Sequence, residues 1–397
     1  MQGIKLLHKL LRKSVPTMHV MRQRSLLAHI EGLLIGQRLS LTAVGRHLPG
    51  ATQEKDKIKR TDRLLGNAHL VAERRAVYGG IARSLVGGAR HPHILIDWSD
   101  VDSTKKLFLL RAAVVIGGRA LPLYEEVHGR YHHPTDVGNF LRQLAALLPR
   151  RCQPVLVTDA GYRLPWFQAV EAMGWFYVGR VRNADYVCLA GTSQWVPNKI
   201  LHAQATAQPR ALGPLKLSRK SALATFAYLY HQPAKGRVKL TAYGKPRRNA
   251  ASLKHAARER EPWLLVSNLP PQRNSARKVI ECYRQRMAIE QSFRDLKAHR
   301  HGFAFRQNLG RNAARVANLL LIAALAMLAT WLVGMVGQQR NLVRGLQANT
   351  ERQRTVLSVF FIGTRLLHQQ IAFADNELHE ALGRLSASIT CYEPIFN

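Results

Sequence analysis

The spacing of apolar and polar positions changes along the chain. Over residues 1–75, apolar positions recur every three or four residues among Lys and Arg, which predicts short basic helices. The stretch "LSLTAVGRHLPG" (39–50) has the pattern of the first helix and turn of a helix-turn-helix. "KIKRTDRLLGNAHL" (57–70) then sets Lys57, Lys59, Arg60 and Arg63 over Leu64 and Leu65. A basic helix of this kind suits phosphate contacts or groove insertion, although an ordinary solvated helix shows the same pattern.

From residue 90 the period shortens. "HILID" is a short apolar strand ending in Asp97. "KLFLLRAAVVIGGRALPLYEEV" (106–127) predicts two strands around a Gly117-Gly118 hairpin turn. "TDVGNFLRQLAALLP" (135–149) predicts a helix with Thr135 as its N-cap. "PVLVTDAGY" (154–162) is a buried strand ending at Asp159, "LPWFQAVEAMG" a helix, and "WFYVGRV" a further strand. The order β-β-β-α-β-α-β implies an α/β fold with a mixed sheet covered by helices.

The pattern breaks over 185–261, where turn residues and Lys/Arg separate short β-rich pieces such as "ATFAYLYHQ" and "RVKLTAYG". "GKPRRNAASLKHAARERE" (244–261) is a polar basic run suited to a mobile or DNA-facing loop. "PWLLVSNLP" (262–270) is again a strand, and residues 340–397 return to helix. Five stretches follow: a helical DNA-binding region (1–75), a first part of the core (76–184), a β-rich insertion (185–261), a second part of the core (262–339) and a C-terminal helical region (340–397).

Charge narrows the partners. Lys and Arg number 59 against 24 Asp and Glu, a formal +35 over 397 residues, which points to a polyanion and first to nucleic acid. Cys152, Cys188, Cys282 and Cys391 form no CxxC pair, so neither a zinc module nor a disulfide framework is indicated and a reducing cytoplasm fits. The N-terminus lacks the apolar core and cleavage site of a signal peptide. Residues 316–339 carry no charge and could span a bilayer by length. Asn318, Thr330 and the alanines favour instead a buried helix of a large core, with no membrane partner.

The chemistry sits in carboxylates at strand ends. Asp97 and Asp159 each follow a buried run, the position where α/β sheets build sites. Asp100 and Asp102 are rivals to Asp97, and Asp159 before Ala-Gly also suits a turn. Glu290 lies in "ECYRQRMAIEQSFRDLKAHR" (281–300). On one helix, Tyr283, Arg286, Glu290 and Lys297 would share roughly 60° of arc beside an apolar stripe of Ile289, Phe293 and Leu296. Three converging carboxylates repel unless cations neutralise them. Hard divalent ions do so, and two of them suit phosphoryl transfer.

Tyr283-x2-Arg286-x3-Glu290-x6-Lys297 resembles, at every position, the Y-R-E-K signature of the insertion-sequence-four family of bacterial transposases. "LIDWSD", "VTDAGY", "KRTDRLLGN", "EPWLLVSNLP" and "LQANTERQRTVLS" are similar to its transposon-ten-like members, so the resemblance covers nearly the whole chain. It implies an RNase H-like catalytic core carrying the β-rich insertion, flanked by helical regions. It implies Asp97, Asp159 and Glu290 as ligands of two Mg²⁺, with Mn²⁺ as a substitute. Tyr283, Arg286 and Lys297 would grip phosphates at the transposon end. Trp263, just before the strand leading to the signature, would hold a flipped base during hairpin formation. The implied partners are end DNA, target DNA and a second copy in a synaptic homodimer. Two rivals stand beside this: a basic regulator without activity, and a nuclease without strand transfer.

Overall fold

A computed structural model of the chain describes all residues except 1, 2, 102, 103, 132, 183, 184, 234–248, 251, 254–256, 258–260, 352 and 394–397. Asp102, the "RVKLTAYG" piece and most of the 244–261 run therefore lie outside the described residues. The chain forms two compact units: Met1–Cys152 with Met287–Tyr392, and Gln153–Arg286 with Glu393–Asn397. These cuts fall within the five stretches expected from sequence rather than between them.

In the first unit, α1 (Gly3–Ser14), α2 (Val20–Gly36), α3 (Leu41–Arg46), α4 (Glu54–Leu65) and α5 (Ala68–Val86) precede a meander of three antiparallel strands. These are β1 (His93–Asp100), β2 (Phe108–Ile116) and β3 (Arg119–His128). Gly117 and Gly118 both have positive φ, 54° and 76°, as a tight turn between twisted strands requires. The registers put Asp97 opposite Arg111 and Arg111 opposite Glu125. The next helix, α6 (Pro134–Leu147), starts one residue before Thr135, and its N-cap is His133. Pro134 takes the first helical position because its missing N–H is not needed there.

The apolar stretch near residue 320 forms α10 (Ala313–Gln339), which is long and apolar enough to cross a membrane, with 94% of its apolar window buried inside the protein. Two of its polar side chains are satisfied internally. Asn318 donates to the Leu65 carbonyl at 3.0 Å and accepts from Arg74 at 3.1 Å, and Thr330 bonds the Ala326 carbonyl at 2.8 Å. α10 packs on α11 (Val359–His368) closely enough that a Cβ on Gly334 would meet the Val359 carbonyl oxygen at 2.0 Å. α12 (Asp375–Ala387) also packs on α10, and the chain then adds isolated bridges at Pro92–Cys391 and Ile116–Ile389. That return of the C-terminal tail to the strands has no signal in the hydropathy pattern.

In the second unit, β4 (Val155–Thr158) and β5 (Phe176–Val181) are parallel, joined through α7 (Leu164–Ala172). The order β1-β2-β3-α6-β4-α7-β5 along the chain is the one read from sequence. The region from 185 supplies β6 (Tyr186–Leu189), β7 (Val196–Pro197), β8 (Arg210–Leu217) and β9 (Leu223–Tyr230). With β10 (Trp263–Ser267), the order in this unit is β4-β5-β10-β9-β8-β6-β7. The insertion thus continues the sheet edge-on through β9 and β10 instead of standing apart from it.

Candidate active site

The single helix expected over 281–300 does not form. α8 (Ser275–Arg284) ends before a turn at Gln285 and Arg286, and α9 (Met287–Lys297) begins after it. Two tight bonds close the turn, Gln285 N–H to the Cys282 carbonyl and Arg286 N–H to the Tyr283 carbonyl. The cause lies in the buried stripes. α8 buries Val279, Ile280, Cys282 and Tyr283, whereas α9 buries Ala288, Ile289, Ser292, Phe293 and Leu296. On a continuous helix these stripes would point roughly 120° apart at ~100° per residue. The break lets each half bury its own stripe, in its own unit. Tyr283 and Arg286 therefore do not share a helical face with Glu290 and Lys297.

Within the first unit, Asp97 and Glu290 line one cavity of about 680 Å³. Asp97 is half-buried within β1, which runs three residues past the end expected from sequence because Trp98, Ser99 and Asp100 also pair with β2. One of its carboxylate oxygens accepts from the Trp98 N–H at 2.8 Å. Glu290 stands exposed on the first turn of α9. Lys297, seven residues on and so on the same face, lines the same cavity. Its ammonium donates to Ser99 Oγ at 2.6 Å and to the Asp100 carbonyl. Burial pushes its pKa down to about 8; Asp100 opposes this, Arg111 and Arg306 add to it, and Asp97 opposes it. Arg294, His299 and Arg306 also line the cavity, and the spacing of the signature singles out none of them. Arg306 is presented by a 3-10 turn at Phe305–Gln307, behind which Phe303 and Phe305 are buried. Trp98 is also buried and packs edge-on against His128 and Tyr131, as a packing residue does.

The second unit holds Asp159, Tyr283, Arg286 and Trp263. Asp159 follows β4 and caps a turn, accepting from the Gly161 N–H at 2.8 Å. Tyr283 is only 4% exposed. Burial pushes its phenol up, the Arg286 and Arg180 guanidiniums pull it down, Asp159 pushes it up, and Arg180 also hydrogen-bonds it. The half-exposed Trp263 ring stands edge-on to Tyr283 at 4.9 Å and tilted to Tyr230 at 5.7 Å. Arg284 donates to the Tyr230 hydroxyl at 2.6 Å and covers its ring.

On α4, Lys59 and Arg63 are exposed while Lys57 and Arg60 are half-buried. α3 crosses α4 so closely that a Cβ on Gly45 would meet Ile58 Cα at 2.8 Å. Beneath α4, His29 is fully buried against Thr61 Oγ1 at 3.1 Å. Burial pushes the imidazole down to about 4; its bond to the Ser25 carbonyl opposes this, and Arg60 adds to it.

Carboxylates are hard oxygen donors of the kind divalent cations take, so Asp97 and Glu290 suit such an ion. Among the described residues no three His, Cys, Asp or Glu side chains stand close enough together to hold a metal ion. Asp159 is in the second unit and is not among the residues lining the cavity.

No curated protein matches the chain. The family model for the transposase DDE domain matches residues 88–328, which include Asp97, Asp159 and Glu290. A match over more than half of the 397 residues, on a chain with a strong positive charge, shows that this chain belongs to the transposase DDE domain family.

Proposed function

We propose that this chain is the cut-and-paste transposase of a bacterial insertion sequence, of the insertion-sequence-four family, acting in the cytoplasm. One observation carries the reading: two carboxylates, Asp97 and Glu290, share a cavity rimmed by Arg294, Lys297 and Arg306. Cationic groups offset the charge of a phosphodiester, and carboxylates can hold the metal ions that act at phosphorus.

In this proposal the sheet is the RNase H-like core, and Asp97, Asp159 and Glu290 would hold two Mg²⁺, or Mn²⁺ in their place. Bound there, the ions supply Lewis acidity at the attacking and leaving oxygens. Arg294 and Arg306 hold the strand by its phosphates. Lys297, already drawn to Ser99, closes the same wall. Tyr283 and Arg286 complete the grip on the transposon end. Trp263, half-exposed beside Tyr283, offers a ring face to a base turned out of the stack. A first nick frees a 3′-OH, which attacks the opposite strand and seals a hairpin. Water reopens the hairpin, and the 3′-OH then joins target DNA. Residues 1–75, with Lys57, Lys59, Arg60 and Arg63, bind the ends, the 185–261 insertion supports the hairpin step, and residues 340–397 contribute to a synaptic homodimer.

The test uses purified protein and labelled DNA carrying the two ends that flank the gene, with Mg²⁺, with EDTA, and with Asp159→Ala. Metal-dependent hairpins that the variant fails to make are the expected result. Nicks without hairpins or insertion would make the protein a nuclease, and binding without any cleavage would make it a regulator.

A further inference from the structure

Arg111 stands in the middle of the apolar strand β2 and is 1% exposed, and Glu125 beside it is 2% exposed. Two charges at this depth need a full set of partners, because unpaired buried charge is strongly unfavourable. They have it. Arg111 Nε donates to Glu125 Oε1 at 2.7 Å, and Nη2 lies 2.6 Å from the same oxygen. The other oxygen, Oε2, accepts from the Tyr78 hydroxyl on α5 at 2.9 Å. Arg111 Nη1 then leaves the sheet and donates to Ser292 Oγ on α9 at 2.8 Å. The guanidinium also lies over the Phe293 ring, 4.7 Å from its centre.

Ser292 and Phe293 are the second and third residues after Glu290. Across the ladder, Arg111 is directly opposite Asp97 on one side and Glu125 on the other. Directly opposed residues of an antiparallel pair face the same side of the sheet. One guanidinium therefore touches the helix that carries Glu290 and neighbours the strand residue Asp97. Apolar side chains of similar volume could fill this space with no loss of stability. They could not fix the rotation of α9 about its own axis. A planar fork with directed donors can.

We propose that Arg111, held by Glu125 and Tyr78, is a positioning residue that sets the spacing of the Asp97 and Glu290 carboxylates across the cavity. The inference rests on the reading of those two carboxylates as metal ligands. The network touches neither substrate nor ion. It acts through α9, and Lys297 ties the far end of the same helix to Ser99.

The experiment compares the full-length wild type with three variants: Arg111→Met/Glu125→Leu/Tyr78→Phe, Ser292→Ala and Arg111→Lys. Mn²⁺ binding is read by electron paramagnetic resonance, end cutting by kcat and KM, and end binding by mobility shift. In the triple variant, Mn²⁺ affinity and kcat should each fall about 10- to 100-fold, the range seen when groups that orient metal ligands are removed. KM and end binding should stay at wild type. Arg111→Lys should not restore kcat, because an ammonium cannot make the fork. Should the triple variant fail to fold, Ser292→Ala reads the same point, since it removes only the bond to α9. Lower Mn²⁺ affinity in folded Ser292→Ala supports the proposal. Wild-type Mn²⁺ affinity and kcat in the folded variants overturn it. Glu290→Gln runs alongside: normal cutting there would remove Glu290 from the chemistry and sink the underlying reading, whereas its loss beside intact Arg111 variants would sink the positioning role alone.

Discussion

Tyr283 and Glu290 are seven residues apart in one signature, yet their surroundings differ in kind. Tyr283, on α8, sits among rings, Trp263 at 4.9 Å with Tyr230 beyond it, and also takes a bond from Arg180, while Arg284 donates to Tyr230. The α9 half is held by charge. Arg111 reaches Ser292, Lys297 reaches Ser99, and Arg119 lies 3.4 Å from Asp295. Ring packing is broad in angle and tolerates small shifts. Charge-assisted bonds fix both distance and direction. The helix with the carboxylate is thus tied by side-chain bonds to all three strands of the meander. The half proposed to receive a mobile base combines ring packing with the Arg180 and Arg284 bonds.

The sharpest way to break this contrast is to remove a carboxylate from each unit. Glu290→Gln and Asp159→Asn should each lower end cutting by about 10³-fold or more while leaving end binding intact. A gel assay on labelled ends reads both. Normal cutting by Asp159→Asn would confine the chemistry to the first unit and end the three-carboxylate reading.

A smaller effect probes the charged half alone. Burial pushes Asp295 up to about 6, against the pull of Arg119, Arg294 and Arg111. Its folded pKa thus lies above the ordinary value of 3.8. The folded state then binds the proton more tightly than the unfolded chain does. The stability this group contributes is full below about pH 4 and is lost as pH rises through about 6, by at most ~3 kcal/mol. Asp295→Asn mimics the protonated acid. It should raise the denaturation midpoint at pH 8 and change it little near pH 4. An unchanged midpoint at pH 8 would mean that the Arg119 pair fully offsets the burial.

Much of this was legible in the sequence because the signals were local. The strand end before Asp159, the Gly117-Gly118 turn and the buried character of 316–339 all follow from hydropathy period and turn chemistry, whereas the end of β1 did not, because the polar Ser99 and Asp100 stay in the ladder. The break at Gln285–Arg286 was not, since no Gly or Pro marks it and each half satisfies a helical period separately. What breaks the helix is the phase between two stripes, which shows only when the buried faces are known. Arg111 left a fainter signal: a charge inside "FLLRAAVVI" is either an error of burial or half of a pair. Its partners come from α5, β3 and α9, and no spacing rule connects residues 78, 125 and 292. Arg306 belongs to the same class, because a 3-10 turn after the signature carries it to the cavity.

The ring-packed half has its own test. Trp263→Ala should leave the first nick at wild type and lower hairpin yield by about tenfold, the order of one lost base–ring stack. Trp263→Phe should keep most of the yield. Hairpin yield at wild type in Trp263→Ala would return that ring to a packing role against Tyr283 and erase the functional side of the contrast.

The smallest expected effect lies outside both halves and serves as their reference. Arg60 is half-buried on α4, between the exposed Lys59 and Arg63. If α4 follows the phosphate backbone, Arg60→Ala removes one contact and releases one fewer counterion. The slope of log affinity against log salt should then flatten by about 0.9, with no change in the ratio of hairpins to nicks. Titrations of end DNA at several salt concentrations read the slope directly, and denaturing gels read the ratio. An unchanged slope assigns Arg60 to a solvated face. A changed ratio would mean that α4 acts on the chemistry as well as on the grip. The difference between the α8 and α9 halves could then no longer be credited to their own surroundings.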